Sequence, residues 1–141
     1  MIMQILKTKL MPRDKTRPRI LVVDDDELFS RSLKRMLEFE GCYDVHLIHR
    51  ARLTYDAAEK YRPHLILLDV MLPDGDGGEV ASELLSDSRF RDIPIVFLTG
   101  AVKSSDIEAN EGMIGGRRYL AKAIKPETLI KWIASMVDVP S

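Results

Sequence analysis

The 141-residue sequence predicts an α/β fold, a parallel β-sheet held between layers of helices. Three observations predict it. Short apolar runs such as Ile20-Leu21-Val22-Val23 and Leu65-Ile66-Leu67-Leu68 are continuous rather than alternating, as in strands buried on both faces. Stretches of helical periodicity alternate with these runs along the chain. Polar residues close the runs, acids after the first and third and Thr99 after a later one, and in a parallel sheet such ends gather at one edge.

The elements follow in order. The first strand is Ile20 to Val23, ending in Asp24-Asp25-Asp26. Leu28, Phe29, Leu33, Met36 and Leu37 then recur at helical spacing with Arg31, Lys34, Arg35 and Glu38 between them, until Gly41 stops the helix. Tyr43 to Ile48 reads as a strand, and Leu53, Ala57, Ala58 and Tyr61 as the inner line of a second helix. Leu65 to Leu68 is the third strand and ends at Asp69; Pro73-Asp74-Gly75-Asp76-Gly77-Gly78 is a loop by its turn chemistry. A helix with Val80, Leu84 and Leu85 comes next, then the strand Ile93 to Leu98, whose proline lies near its start, where a missing donor is tolerated. Ser104 to Met113 is expected as a helix, Arg118 to Ala121 as a short strand, and Glu127 to Val137 as a helix with Leu129, Ile130, Ile133 and Val137 inward. Five strands thus alternate with five helices, joined by right-handed crossovers.

Composition narrows the function. Apolar residues make up 45% and charged residues 30%, which fits one folded domain, and a net charge of -1 gives no electrostatic case for binding nucleic acid. One cysteine, Cys42, excludes an internal disulfide and a multi-cysteine zinc site and suits a reducing, cytoplasmic setting. No apolar run approaches the roughly 20 residues of a membrane span, and the start lacks a secretory signal. The first 18 residues, with five basic residues against Asp14, read as a basic extension or linker; 19–138 form the domain and 139–141 a tail.

At the sheet edge the sequence gathers Asp24, Asp25 and Asp26, then Asp69, Thr99 and Lys122. Carboxylates so close repel one another unless a cation offsets them, and hard oxygen ligands suit Mg2+. A lysine from the far side and a threonine hydroxyl can meet anionic oxygens. Together they describe a phosphoryl-binding site with a carboxylate nucleophile. At least one of the first three acids is also expected to cap the helix that follows.

Over about residues 19–138 the chain resembles the receiver domain of two-component response regulators. The resemblance lies in Ile20 to Asp26, Leu65 to Gly77, Val96-Phe97-Leu98-Thr99-Gly100 and Tyr119-Leu120-Ala121-Lys122. It implies a flavodoxin-like sheet of order 2-1-3-4-5. It further implies that Asp69 accepts a phosphoryl group from a histidine kinase or phosphotransfer protein. Mg2+ would be held by Asp24, Asp25, Asp69 and the backbone carbonyl of Met71. Thr99 and Lys122 would bind the phosphoryl oxygens, and Tyr119 would move on activation. The surface of the fourth helix, fifth strand and fifth helix would then meet a downstream protein, as a monomer or a phosphorylation-dependent dimer. Such a chain is a signalling switch that catalyses only its own phosphorylation and slow loss of phosphate.

The sequence departs from that pattern in three places. Ala123 stands where proline usually follows the lysine, so a trans peptide is expected there. Gly116-Arg117-Arg118 precede Tyr119 in place of two acids. Met71 and Ala101 stand two residues past Asp69 and Thr99, and neither can orient a water, so a slowly hydrolysing phosphoaspartate is expected. The second reading is a receiver-like interaction module that no longer takes phosphate, and a haloacid-dehalogenase-like phosphatase is a distant third.

Other motifs carry less. Asp74-Gly75-Asp76-Gly77 fails the calcium-loop pattern at Gly78 and Leu85, and neither nucleotide-binding glycine motif is present. His46 and His49 fall on opposite faces of a strand and read as ordinary histidines. Trp132, Met36, Met71, Met113 and Met136 read as packing.

Overall fold

The computed structural model describes residues 17–100, 113–114 and 117–137. Most of the basic N-terminal extension, the helix expected at Ser104 to Met113 save its last residue, Ala101, Gly116 and the tail at 139–141 lie outside the described residues.

The chain runs β1 (Arg19–Val23), α1 (Glu27–Phe39), β2 (Asp44–Ile48), a 3-10 turn (Ala51–Leu53), α2 (Thr54–Tyr61) and β3 (Leu65–Asp69). It continues with β4 (Met71–Leu72), β5 (Gly75–Asp76), α3 (Gly77–Leu85), β6 (Ile95–Thr99), β7 (Met113–Ile114), β8 (Arg117–Ala121) and α4 (Pro126–Met136). The main sheet has the order β2-β1-β3-β6-β8-β7. Its first five members are mutually parallel, which is the expected 2-1-3-4-5 arrangement.

Two small pieces of sheet were not expected. β7 pairs antiparallel with β8, so Met113 belongs to a strand rather than to the end of a helix. β4 and β5 form a two-rung antiparallel ladder, so Gly75–Asp76 is paired and not simply loop. Both are too short to produce a periodic signal.

The apolar runs do what their continuity implies. Ile20 and Val22 enter a core with Leu33 and Leu37 of α1 and Leu129 and Ile133 of α4, while Leu21 and Val23 enter a second with Ala58, Val80 and Leu84 of α2 and α3. Successive side chains point to opposite faces, so one strand feeds two cores. Leu65 and Leu67 divide from Ile66 and Leu68 in the same way.

Several side chains differ from the periodic reading. Leu28 is 78% exposed, and fully buried Ser30 takes the inward place in that first turn because its hydroxyl donates to the Asp26 carbonyl at 2.8 Å. Leu53 and Leu85 lie at element ends and are exposed, and Ile130 is half-buried. Met71 is 78% exposed and packs against nothing comparable to the contacts of Met36 and Met136, which lie on the first core with Trp132.

Helix ends show their chemistry. Gly41 follows α1, but the left-handed residue is Cys42, at φ 60°. What Gly41 supplies is room: a Cβ there would lie 2.7 Å from the Tyr43 ring. Arg62, at φ 54°, ends α2, and the Arg19 guanidinium donates to the carbonyls of Tyr61 and Arg62, both at 2.9 Å. Such a donor satisfies carbonyls that the helix leaves without partners. No helix among the described residues is long and apolar enough to cross a membrane.

Candidate functional site

The site lies where β1, β3, β6 and β8 end. Asp24 follows β1 directly and is fully buried; its N–H donates to the Ile48 carbonyl at 3.1 Å, which fastens the turn to β2. The Asp24 Oδ1 accepts from the Asp26 N–H at 2.9 Å, and Asp26 in turn caps α1 by accepting from the Phe29 N–H at 3.1 Å. One of the three acids is therefore a cap, as capping chemistry predicts. The other two face the site. One carboxylate oxygen from each of Asp24, Asp25 and Asp69 lies within 4.8 Å of the others.

Asp69 closes β3 and is 7% exposed, with Oδ1 accepting from the Met71 N–H at 3.1 Å. Gly77, the first residue of α3, runs close behind it. A Cβ on Gly77 would stand 2.3 Å from the Asp69 carbonyl oxygen, so only glycine fits without displacing backbone. The Gly77 N–H donates to the Val70 carbonyl at 2.9 Å, closing the loop. Its acids have structural tasks: Asp74 accepts from the N–H groups of Ala51 and Arg52 at 2.7 and 3.1 Å, and Asp76 caps α3 through the Gly78 N–H at 2.7 Å.

Lys122 enters from the end of β8. Its Nζ lies 2.7 Å from Asp24 Oδ2 and 3.2 Å from Asp69 Oδ2, donating a hydrogen bond to the latter. The Asp24 contact is the closer of the two, a buried ion pair that sets the lysine ammonium against Asp24 Oδ2. Burial raises the Asp24 pKa to about 6, against the opposing pull of Lys122 and the Asp26 N–H and with help from neighbouring Asp69. Burial works to lower the Lys122 pKa, but the Asp24 and Asp69 carboxylates outweigh it and hold the ammonium above its ordinary range. No cis peptide occurs among the described residues, so the Lys122–Ala123 bond is trans, as alanine there predicts.

Thr99, 6% exposed, ends β6, and its carbonyl accepts from the Lys122 N–H at 2.9 Å. Tyr119 is half-buried, with its ring 5.2 Å from that of Phe97. Arg117 and Arg118 are exposed, and the Arg117 guanidinium lies 5.6 Å from the centre of the Phe97 ring.

The structure thus brings Asp24, Asp25, Asp69 and Lys122 into one cluster, with Thr99 fastened to the Lys122 backbone and Tyr119 on β8 paired in register with Phe97, two residues before Thr99 on β6. His46 stacks on Tyr61, an ordinary surface contact. His49, which the sequence reads as an ordinary histidine on a strand face, lies just past the end of β2, and its Nδ1 is 2.8 Å from the Asp24 carbonyl oxygen. The acceptor is a backbone atom, so no side-chain pattern announces it.

The fit to a divalent cation follows from the donors. Three hard carboxylate oxygens converge, one each from Asp24, Asp25 and Asp69, and the Asp24 carboxylate is fully buried. That set suits Mg2+ better than a soft metal, since no sulfur or imidazole nitrogen belongs to the cluster.

Comparison with known proteins agrees with this layout. The family model described as the response regulator receiver domain matches residues 20–134. The chain belongs to the response regulator receiver domain family. It is 37% identical over 118 residues to the DNA-binding response regulator MtrA of Mycobacterium tuberculosis, covering 83% of this chain and 49% of that one. It is 41% identical over 113 residues to the response regulator MprA of Mycolicibacterium vanbaalenii, covering 79% of this chain and 47% of that one. The receiver domain thus spans about half the length of these relatives.

Among solved structures, the chemotaxis protein CheY4 of Vibrio cholerae shares 25% identity at a TM-score of 0.71, covering 86% of this chain and 99% of that one. The receiver domain of the sensor histidine kinase PA1611 of Pseudomonas aeruginosa, with a magnesium ion in its active-site cleft, shares 28% identity at a TM-score of 0.70, covering 85% of this chain and 97% of that one.

Proposed function

We propose that this receiver domain is a phospho-switch in which Asp69 accepts a phosphoryl group from the phosphohistidine of a partner kinase or phosphotransfer protein. One observation carries the reading: the Asp69 carboxylate stands within 4.8 Å of two further carboxylates and 3.2 Å from the Lys122 ammonium. Phosphoryl transfer needs positioning and charge neutralisation more than acid-base machinery. Mg2+ held by Asp24, Asp25, Asp69 and the Met71 carbonyl would neutralise charge on the phosphoryl oxygens.

The remaining steps belong to the chain's own residues. The Met71 N–H holds Asp69 Oδ1 and the Lys122 ammonium meets Oδ2, which together orient the carboxylate for attack on phosphorus. Lys122 neutralises an oxygen of the incoming group, and the Thr99 hydroxyl donates to another. Tyr119 responds when Thr99 is drawn toward the new phosphate, and the surface around β8 and α4 carries the change to a downstream protein. Replacement of the usual proline by Ala123 leaves Lys122 within reach of Asp69, which favours this reading over a module that no longer takes phosphate. The phosphatase alternative is the poorest, since Met71 stands where that chemistry needs an acid.

Beryllofluoride, which mimics an acyl phosphate, tests the reading. With Mg2+ it is expected to shift the amide resonances of Asp69, Thr99 and Tyr119 in wild-type protein and not in D69A. An unchanged wild-type spectrum would overturn it.

A further inference from the structure

The phosphoacceptor reading leaves His49 without a part, although its ring touches the backbone between two proposed cation ligands. His49 follows β2 directly, and its Nδ1 lies 2.8 Å from the Asp24 carbonyl oxygen. A carbonyl only accepts, so Nδ1 carries the proton and donates. The other nitrogen, Nε2, faces Glu27 at 3.9 Å, and Glu27 also pairs with Arg31 at 3.5 Å.

That carbonyl belongs to the peptide joining Asp24 to Asp25. Rotation of this peptide swings the exposed Asp25 carboxylate relative to the buried one of Asp24. The rest of Asp24 is held independently, its N–H by Ile48 and its Oδ1 by the Asp26 N–H. Ser30 Oγ reaches the same carbonyl only at 3.4 Å and makes its shorter bond, 2.8 Å, to Asp26. His49 is therefore the closest donor to the Asp24 carbonyl among the described residues.

We infer that His49 is a positioning residue for the divalent-cation site, fixing the Asp24–Asp25 peptide so that both carboxylates aim at one ion. The inference rests on the Mg2+ site proposed for Asp24, Asp25 and Asp69. It touches neither the ion nor the phosphoryl group, so its loss is expected in cation affinity rather than in the chemical step.

The test is calorimetric Mg2+ titration of wild type, H49A, H49L and H49N at pH 8, with acetyl phosphate labelling rates at saturating Mg2+ beside it. H49A and H49L are expected to weaken Mg2+ binding roughly tenfold while labelling at saturating Mg2+ stays near wild type. H49N, whose amide N–H takes the place of Nδ1–H, is expected to restore affinity. Unchanged affinity in H49A and H49L, or H49N as weak as they are, overturns the inference alone. Wild-type protein that binds no Mg2+ overturns the inference and the site reading together.

Discussion

Lys122 stands nearer to Asp24 than to Asp69, its Nζ being 2.7 Å from the first and 3.2 Å from the second. The ammonium is thus the counter-ion of the buried acid cluster, and a divalent cation arriving there meets a site already partly neutralised. Replacing Lys122 by Met removes that charge. Mg2+ is then expected to bind more tightly, while acetyl phosphate labelling slows at saturating Mg2+. Calorimetry and a labelling time course read the two effects, and a fall in both affinity and rate would contradict this division of roles.

Stability of the Mg2+-free protein is expected to depend on pH through Asp24. Its folded pKa is raised from the usual 3.8 to about 6 by burial. Between those values the folded state holds a proton that the unfolded state has released. The contribution is therefore full below 3.8 and is lost as pH rises through about 6. Mg2+ binds the ionised form, so its stabilisation is expected to be larger at pH 7.5 than at pH 5. Thermal melts at both values, with and without Mg2+, check this.

A second pH effect comes from the opposite end of the sheet. The His64 Nδ1 accepts from the Arg19 N–H at 2.9 Å, which requires a neutral ring, and burial together with nearby Arg19 lowers its pKa below 6.5. The unfolded state then binds a proton that the folded state refuses. Stability from this group is full above 6.5 and declines as pH falls through the lowered folded value. In H64N, where an amide oxygen can accept the same bond, the decline is expected to flatten. Urea midpoints at pH 7.5 and 5.5 measure it.

Gly77→Ala is expected to damage both stability and the site. Its Cβ would meet the Asp69 carbonyl at 2.3 Å, backbone against side chain, and relief of such overpacking costs about 1–3 kcal/mol. Because the displaced strand end carries Asp69, labelling should slow beyond what the lost stability explains. Denaturant melts beside a labelling assay at a temperature where both proteins are folded separate the two. A melt like that of wild type would contradict the packing argument.

Met71 sets the lifetime of the phosphorylated state in this reading. It is 78% exposed beside Asp69 and has no hydrogen-bonding hydrogen or strong acceptor with which to orient a water. The phosphoaspartate is expected to decay slowly, and Met71→Asn to shorten its half-life several-fold. Loss of label after removal of the phosphodonor measures both rates.

The strands were legible because β1 and β3 are buried on both faces, which turns fold into an uninterrupted apolar run. Asp24, Asp25, Asp69, Thr99 and Lys122 were legible as a group because each ends a strand of one parallel sheet, so topology alone gathers them. Leu28 was misplaced because the first turn of α1 spends its inward position on Ser30, whose hydroxyl serves the backbone. Gly41 is small because a Cβ there would meet the Tyr43 ring, while the left-handed residue is Cys42, which no residue pattern in the sequence marks. Met113 was misread because two residues of antiparallel pairing leave no period, and His49 was passed over because its partner is a backbone carbonyl.

The most direct measurement is intact mass after incubation with acetyl phosphate, with and without Mg2+, for wild-type protein and D69N. One added phosphoryl group that requires both Mg2+ and Asp69 is the result expected. Wild-type protein that gains no mass with Mg2+ and acetyl phosphate present, or D69N labelled as fully as wild type, would contradict the assignment of Asp69 as the phosphoacceptor.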